Sequence, residues 1–287
     1  MSETNFLQCN ESILAYRLVE LPNSRTENCC LLLHGAGVAG ELTYGPMLEH
    51  LNHWRWLLIP DLTGMGESYH SSKLESPVSI ESLTDELDEL LEHLSWHEFD
   101  IIGYSLGGLV GLNLNSKRFK KRSERHRMVL MEPASLDREC VNTLAEVRQR
   151  YKLASKTIRE TGDVELGVAH FMDGVSPNRR KHPVAEATTQ SRLAHRPIGF
   201  SYALDAVTNW VERIVKDPNM RFDLVDHAEE VLLFSGALSH SLLLDHYDLI
   251  VNGRDGWKHI SMAGCDHSLP FQKPRQIAKH INKWLEE

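Results

Sequence analysis

Short runs of apolar residues recur along the chain, separated by longer amphipathic segments. The runs are continuous rather than alternating, which is typical of strands covered on both faces. We predict buried strands at residues 29–33, 56–59, 99–102, 128–131, 231–234 and 257–262. An earlier segment, residues 13–18, is a candidate for an antiparallel edge of the same sheet.

The amphipathic segments between these runs predict helices. In residues 79–95, leucine and isoleucine fall on one stripe and carboxylates on the other. Further helices are predicted over residues 106–115 and 276–285. Strands that alternate with helices in this way predict an α/β fold, in which a mostly parallel sheet carries helices on both faces.

The alternation stops between residues 134 and 222. That segment has a helical composition, contains no convincing buried strand, and carries loop signals at Ser176-Pro177-Asn178 and Arg196-Pro197. We therefore predict a helical cap over residues 134–222. It is inserted into a single core domain formed by residues 1–133 and 223–287.

Composition and charge narrow the possible partners. A chain of 287 residues suits one large domain with an insertion, and the formal charge of −9 argues against a nucleic-acid or anionic-membrane partner. No run of about 18 apolar residues is present, so no membrane span is expected. Residues 1–5 lack the features of a secretory signal. We expect a small-molecule partner and a monomer or homodimer.

Cysteine and histidine spacing gives no sign of a metal site. The five cysteines are odd in number and irregularly spaced, and no histidine pair has the His-Glu-x-x-His spacing. A reduced, cytoplasmic setting fits this pattern best. Gly35, Gly37 and Gly40 lack the spacing of a dinucleotide fingerprint. We expect no metal and no cofactor.

The first chemical motif lies between a predicted strand and a predicted helix. Residues 103–107 read Gly-Tyr-Ser-Leu-Gly, a Gly-x-Ser-x-Gly pattern in the context that a nucleophile elbow requires. Such a turn lifts the serine hydroxyl above the sheet, so Ser105 is the candidate nucleophile. The alternative is a glycine-rich turn without chemistry, because the bare pattern also occurs by chance.

A second glycine-rich segment follows the strand at residues 29–33. Residues 34–37 read His-Gly-Ala-Gly. The backbone N–H groups of such a loop can stabilise an oxyanion. We expect one donor from Leu106 and the other from Ala36 or Gly37, with Gly35, Gly37 and Tyr104 next to the substrate. The alternative is a loop that needs glycine only for its backbone shape.

With these motifs, the sequence resembles the α/β-hydrolase family over nearly its whole length. Residues 61–68, Asp-Leu-Thr-Gly-Met-Gly-Glu-Ser, resemble a scaffold loop of that family, and the predicted cap occupies the family's usual insertion point. The resemblance implies an α/β-hydrolase fold. It also implies a catalytic histidine between the last strand and the last helix, which is the position of His267.

The acid of the triad departs from the family pattern. An aspartate usually follows the penultimate strand in a Gly-x-x-Asp pattern, but residues 236–239 read Gly-Ala-Leu-Ser. Ser239 can hydrogen-bond a histidine but cannot balance its charge. Glu132 ends the strand at residues 128–131, where some relatives, including several haloalkane dehalogenases, place their acid. Glu132 is therefore the candidate acid, and Asp245 is the next.

These residues together predict a serine hydrolase that cleaves a small carboxylic ester or thioester through an acyl-enzyme. Two alternatives stay open at this point: a carbon–carbon bond hydrolase built from the same parts, and a non-catalytic relative that binds a ligand. Dehalogenation is not expected, since it needs a carboxylate where Ser105 stands. The basic residues at 117–127 are interpreted as a solvated helix end rather than an anion site.

Overall fold

The computed structural model describes residues 3–287 and is built around a nine-stranded sheet. In sheet order the strands run β1-β2-β4-β3-β6-β7-β8-β9, with β5 paired to β2. β3, β4 and β6 to β9 are parallel, whereas β1, β2 and β5 pair antiparallel, which confirms the predicted α/β fold. The strands are β1 Thr4–Cys9, β2 Ser12–Glu20, β3 Cys29–Leu33, β4 Trp56–Pro60, β5 Tyr69–His70, β6 Asp100–Tyr104, β7 Met128–Met131, β8 Val231–Gly236 and β9 Trp257–Met262.

Helices fill most of the chain between the strands. A π-helical turn, Thr157–Thr161, continues the fourth helix. None of the helices in residues 3–287 is long and apolar enough to cross a membrane. The helices are α1 Gly40–Leu48, α2 Ile80–His93, α3 Leu106–Arg122, α4 Val141–Lys156, α5 Val164–Val175, α6 Pro183–Leu193, α7 Pro197–Lys216, α8 Asn219–Asp226, α9 Ser241–Asn252, α10 Leu269–Gln272 and α11 Pro274–Trp284.

Both faces of the sheet are buried, which explains why the strand sequences are continuously apolar. Successive residues of a strand point to opposite faces. Leu31 and Leu33 join one hydrophobic cluster with residues of α2, α3 and α9. Cys30 and Leu32 join another cluster with residues of α1 and α11. The helices therefore form a layer on each side of the sheet.

Residues 134–222 contain helices and no strand. Helices α4 to α7 and part of α8 lie in this segment, between β7 and β8. α4 packs against α5 and α7 around a separate hydrophobic cluster, which also contains Val38 from the loop after β3. These helices thus pack against a core loop beside the carboxyl ends of the strands. Their treatment as a cap domain with those boundaries stays a prediction.

Helix α3 is longer than its predicted span and continues through the first part of the basic run. Arg118 lies within this helix and its side chain is only 1% exposed, with ion pairs to Asp88 at 2.8 Å and to Glu124 at 2.5 Å. Basic residues at a helix C-terminus also interact favourably with the helix dipole. The basic run therefore contains a buried structural arginine and is not solvated throughout.

Candidate active site

Ser105 occupies a strained turn between β6 and α3. Its backbone angles are φ 52° and ψ −114°, outside the usual regions for a residue with a side chain. The turn is held by a hydrogen bond from Ser105 N to Met131 O at 3.0 Å and by Ala134 N, which donates to Ser105 O at 2.9 Å. A Cβ at Gly107 would lie 2.2 Å from Leu33 O. The elbow therefore requires glycine at position 107.

His267 lies in the loop after β9 and faces Ser105. Its Nε2 is 3.1 Å from Ser105 Oγ, and its Nδ1 is 2.7 Å from Glu132 Oε2. With the proton on Nδ1, the ring donates to the carboxylate, which leaves Nε2 free to accept from the serine hydroxyl. His267 is 6% exposed. The geometry joins Ser105, His267 and Glu132 in one hydrogen-bonded chain.

Glu132 follows β7 directly, with a positive φ of 43°. Its backbone N–H donates to Phe234 O of β8 at 3.0 Å. Besides the bond to His267, its Oε1 accepts from Gly236 N at 2.7 Å and from Ser239 Oγ at 2.5 Å. Three donors thus satisfy a carboxylate that is only 3% exposed. Ser239 contacts the acid, not the histidine.

The other acidic residues considered near His267 have different surroundings. Asp266 Oδ1 accepts from Ser268 N at 2.8 Å and so stabilises the loop that carries the histidine. Asp245 is exposed on α9. Within residues 3–287, neither carboxylate hydrogen-bonds the imidazole ring of His267. Glu132 is the carboxylate that does.

Two backbone N–H groups near Ser105 are available to an oxyanion. Leu106 is the first residue of α3, where a helix leaves its N–H groups without intrahelical acceptors. Within the described chain, neither Leu106 N nor Ala36 N donates to a protein acceptor. Gly37 N instead donates to Met65 Sδ at 3.3 Å. Of the two alternatives at the loop, Ala36 is therefore the better placed.

His34 holds the loop that contains Ala36. Its Nε2 accepts from Leu62 N at 2.9 Å, and its Nδ1 lies 2.7 Å from Gly35 O. Burial lowers the pKa of His34, so the ring is neutral and one nitrogen accepts while the other donates. Through these contacts, His34 braces the loop that contains Ala36.

The three residues expected beside the substrate differ in position. Tyr104 lines a cavity next to Ser105, and burial raises its pKa well above the usual range, so it is a neutral phenol there. Gly35 packs against the Tyr104 ring, where a Cβ would come within 2.8 Å of it, and Gly37 packs against Phe200. Neither glycine lines a cavity at Ser105. Their contact with a substrate stays a prediction.

Two small cavities meet at Ser105, His267 and Phe171. The first, of about 30 Å³, is mainly apolar and is bordered by Ala36, Tyr104 and Phe271 among others. The second, of about 40 Å³, contains the buried side chains of two arginines. Of the aromatic side chains in residues 134–222, Phe171 lines both cavities, while Phe200 and Trp210 are buried in hydrophobic clusters.

Sequence reasoning missed three side chains at this site: Ser176, Arg138 and Arg148. Ser176 is fully buried and its Oγ accepts from His267 N at 3.2 Å. The position of Arg148 in the amphipathic pattern of the sequence could have indicated an unusual residue. It shares the buried stripe of α4 with Leu144 and Tyr151, and an arginine at such a position is rare without a partner.

The sequence model of the alpha/beta hydrolase family matches residues 30–280. Solved structures of the same fold include a hydrolase from Pseudomonas aeruginosa, with 20% identity, coverage of 99% of this chain and 98% of the other, and a TM-score of 0.70. The enol-lactonase from Burkholderia xenovorans has 19% identity, coverage of 99% and 100%, and a TM-score of 0.71. A thermophilic esterase from Thermogutta terrifontis has 17% identity, coverage of 99% and 98%, and a TM-score of 0.71.

A curated relative matches over a shorter segment. The 30 kDa subunit of magnesium chelatase from Rhodobacter capsulatus is 31% identical over 84 residues. The match covers 29% of this chain and spans 28% of the length of that relative.

Proposed function

The chain belongs to the alpha/beta hydrolase family, and from this premise we propose that it is a serine hydrolase that cleaves a small carboxylic ester or thioester. The observation that carries the proposal is the hydrogen-bonded chain Ser105–His267–Glu132, with 3.1 Å and 2.7 Å between its members. Esterase and lactonase are also the activities named for two solved structures of this fold.

In the proposed reaction, Ser105 Oγ attacks the substrate carbonyl carbon while His267 Nε2 takes the hydroxyl proton. The tetrahedral intermediate collapses when His267 returns this proton to the leaving alcohol or thiol. An acyl-enzyme remains on Ser105. Water, activated by the same imidazole, then attacks the acyl-enzyme and releases the acid.

Glu132 acts on His267 rather than on the substrate. Its carboxylate holds the tautomer with the proton on Nδ1 and balances the positive charge of the imidazolium during attack. The N–H groups of Ala36 and Leu106 donate to the developing oxyanion, for which preorganised donors are effective because they need no rearrangement. The apolar cavity beside Tyr104 offers space for the uncharged part of the substrate.

One of the two alternatives is a non-catalytic ligand-binding protein, suggested by the serine at position 239. The contact between Ser239 and Glu132 weakens this alternative, because the carboxylate is supplied from β7 instead of from the loop after β8. A binding protein has no need for a strained serine, a matched histidine and a buried acid together. The elbow serine also favours acyl transfer over chemistry that needs a carboxylate nucleophile.

A fluorophosphonate probe tests the proposal directly, since it labels an activated serine regardless of the natural substrate. We expect wild-type protein to be labelled, Ser105→Ala to be unlabelled, and His267→Ala to be labelled far more slowly. The exposed Ser191, changed to alanine, serves as the matched control and should leave labelling unchanged. Well-folded wild-type protein that resists labelling would overturn the proposal.

A further inference from the structure

The second cavity at Ser105 contains charged groups that the proposed reaction does not use. It is bordered by Asp137, Arg138 and Arg148, together with Ser105 and His267. Arg138 is 4% exposed and Arg148 is 5% exposed. Arginine is almost never this deeply buried without a partner. The cavity therefore places two buried cations beside the candidate nucleophile.

Arg148 has few partners for its five N–H donors. In residues 3–287 it forms no ion pair, and its Nε has no hydrogen-bond acceptor. Its contacts are a long hydrogen bond from Nη2 to Leu204 O at 3.4 Å and the face of the Tyr151 ring, 4.3 Å from the guanidinium carbon. The guanidinium thus retains unused donors at the cavity.

Arg138 is only partly neutralised. Its Nη1 donates to the Asp137 carbonyl oxygen and lies 3.9 Å from Asp137 Oδ2, a long ion pair, and its Nε has no acceptor. The other nearby carboxylate, Glu132, already receives three hydrogen bonds. One carboxylate, Asp137, therefore faces two arginines. The cavity is thus bordered by two arginines and two carboxylates, and neither guanidinium forms an ion pair closer than 3.9 Å within the described residues.

From these contacts we propose that the cavity binds a carboxylate of the substrate, held by Arg148 with Arg138 beside it. This inference rests on the proposed function and specifies its substrate class: an ester or thioester that carries an additional carboxylate. A guanidinium matches a carboxylate through two parallel hydrogen bonds. The volume of about 40 Å³ accommodates a group of this size.

The two cavities orient such a substrate. The carboxylate enters the cavity at Arg148, the reacting carbonyl lies at Ser105, and an apolar portion fills the cavity near Tyr104 and Phe271. Burial lowers the pKa of Arg148, since a charged group loses hydration there. A bound carboxylate compensates for this lost hydration. Anionic substrates therefore gain binding that their neutral analogues lack.

Arg148 also connects α4 to α7 through Leu204, so a purely structural role is the competing explanation. The two explanations differ in what they predict for substrates. If Arg148 has only a structural role, its replacement changes the reaction of charged and neutral esters equally. If Arg148 binds the carboxylate, its replacement reduces the reaction of the charged ester much more than that of the neutral ester.

The kinetic test compares esters with and without a carboxylate. Mono-p-nitrophenyl glutarate is compared with p-nitrophenyl pentanoate, and 4-carboxyphenyl acetate with phenyl acetate, so that the carboxylate stands on the acyl or the leaving group. Only one of the two pairs places its carboxylate at Arg148. In that pair, we expect wild-type kcat/KM to be about 10- to 100-fold higher for the carboxylated ester than for the neutral ester, as for a charge-assisted hydrogen bond. The difference should lie mainly in KM.

The variants are Arg148→Gln and Arg148→Lys, with Arg150→Gln as the matched control. Arg150 is exposed on the same helix, so its change removes the same charge outside the cavity. We expect Arg148→Gln to abolish the preference by lowering kcat/KM for the carboxylated ester much more than for the neutral ester, Arg148→Lys to retain part of the preference, and Arg150→Gln to retain all of it. Equal loss for both esters in Arg148→Gln, or no wild-type preference in either pair, overturns the proposal. The wild-type comparison does not depend on the folding of any variant.

A binding measurement separates this inference from the proposed function. By calorimetry, Ser105→Ala protein should bind glutarate and should not bind its neutral diamide. If Ser105→Ala protein binds glutarate, but wild-type protein neither reacts with fluorophosphonate nor cleaves esters, the anion site is supported and the hydrolase is refuted. Ester cleavage without glutarate binding and without preference for charge would support the hydrolase and refute the anion site.

Discussion

At the residue scale, the candidate acid Glu132 follows β7, whereas the family's usual aspartate follows the strand that corresponds to β8. β7 and β8 are adjacent and parallel, so their carboxyl ends lie side by side at the same edge of the sheet. Glu132 at the end of β7 reaches His267, and Ser239 beyond β8 donates to Glu132. The side chain at position 239 thus supports the acid instead of supplying it.

The first prediction concerns this carboxylate. Glu132→Gln removes the charge that balances the imidazolium, and we expect kcat for a p-nitrophenyl ester to fall by about 1,000- to 10,000-fold. Ser239→Ala removes only a hydrogen bond to the charged carboxylate, worth about 1.5 to 3 kcal/mol, so a loss of at most about 10- to 100-fold is expected. Asp245→Asn is the matched control and should keep full activity. Full activity in Glu132→Gln would show that the acid is elsewhere.

The second prediction concerns Ser176, which accepts a hydrogen bond from the backbone of His267. Ser176→Ala leaves a buried N–H group without an acceptor, so we expect a several-fold fall in kcat and in the rate of fluorophosphonate labelling, with KM unchanged. Ser176→Thr restores the hydroxyl and should recover much of the rate. If KM rises and kcat does not change, Ser176 acts on substrate binding and not on the position of His267.

The sequence identified Ser105, His267 and Glu132 as candidates because each follows a recognisable strand. Parallel strands end at one edge of the sheet, so residues just beyond their ends are brought together. Ser176 caps the C-terminus of α5 and Arg148 lies in α4, and no local pattern fixes where these helices between β7 and β8 pack on the core. Their contacts depend on tertiary packing, so the sequence could not predict them.

At the element scale, the elbow depends on a very close approach of α3 to β3. The third prediction is that Gly107→Ala destabilises the protein, because the added Cβ would lie 2.2 Å from Leu33 O. We expect a loss of several kcal/mol in the free energy of unfolding, or failure to fold, as for an overpacked backbone contact. Urea titration followed by circular dichroism measures it.

The matched control is Gly253→Ala at the end of α9, where the nearest atoms to an added Cβ lie at 3.7 Å, an ordinary van der Waals distance. Gly253 has a φ of −94°, which alanine also adopts, so we expect this change to alter the free energy of unfolding by no more than about 1 kcal/mol. If both variants lose stability to the same degree, the close approach at Gly107 is not what the elbow requires.

The C-terminal end of α3 could not be predicted from the periodicity of apolar residues. The apolar pattern ends near residue 115, but the helix continues to Arg122. The extension buries Arg118 against Asp88 of α2, an ion pair between distant parts of the chain. Because an ion pair between distant residues is not visible in local periodicity, the helix predicted from the sequence is too short.

At the scale of the whole molecule, the candidate site is assembled from two parts of the chain. The core provides Ser105, Glu132 and His267, and the helices between β7 and β8 provide Phe171 and Arg148 to the cavities. Under the proposed function, residues that select the substrate are thereby separated from residues that carry out the chemistry. This separation explains why the sequence indicates a reaction class more readily than a substrate.

The last prediction concerns the pH dependence of the free energy of unfolding, to which the buried histidines contribute. His246 is 7% exposed, neither of its ring nitrogens has a hydrogen-bond partner, and burial lowers its pKa from 6.5 to about 4. Burial also lowers the pKa values of His34 and His126. Near pH 7 these groups are neutral in both states. As the pH falls below about 6.5, the unfolded chain binds protons that the folded protein does not, so stability decreases.

We therefore expect the free energy of unfolding to fall between about pH 7 and about pH 5, with His246 contributing about 1–2 kcal/mol of the decrease. His246→Leu keeps the site filled without a titrating group, so it should flatten this pH dependence by that amount. His195→Gln changes a histidine that is exposed to water, and it should leave the dependence as in wild type. Urea unfolding at the two pH values measures the difference. An unchanged slope in His246→Leu would mean that His246 takes up its proton in the folded protein as readily as in the unfolded chain.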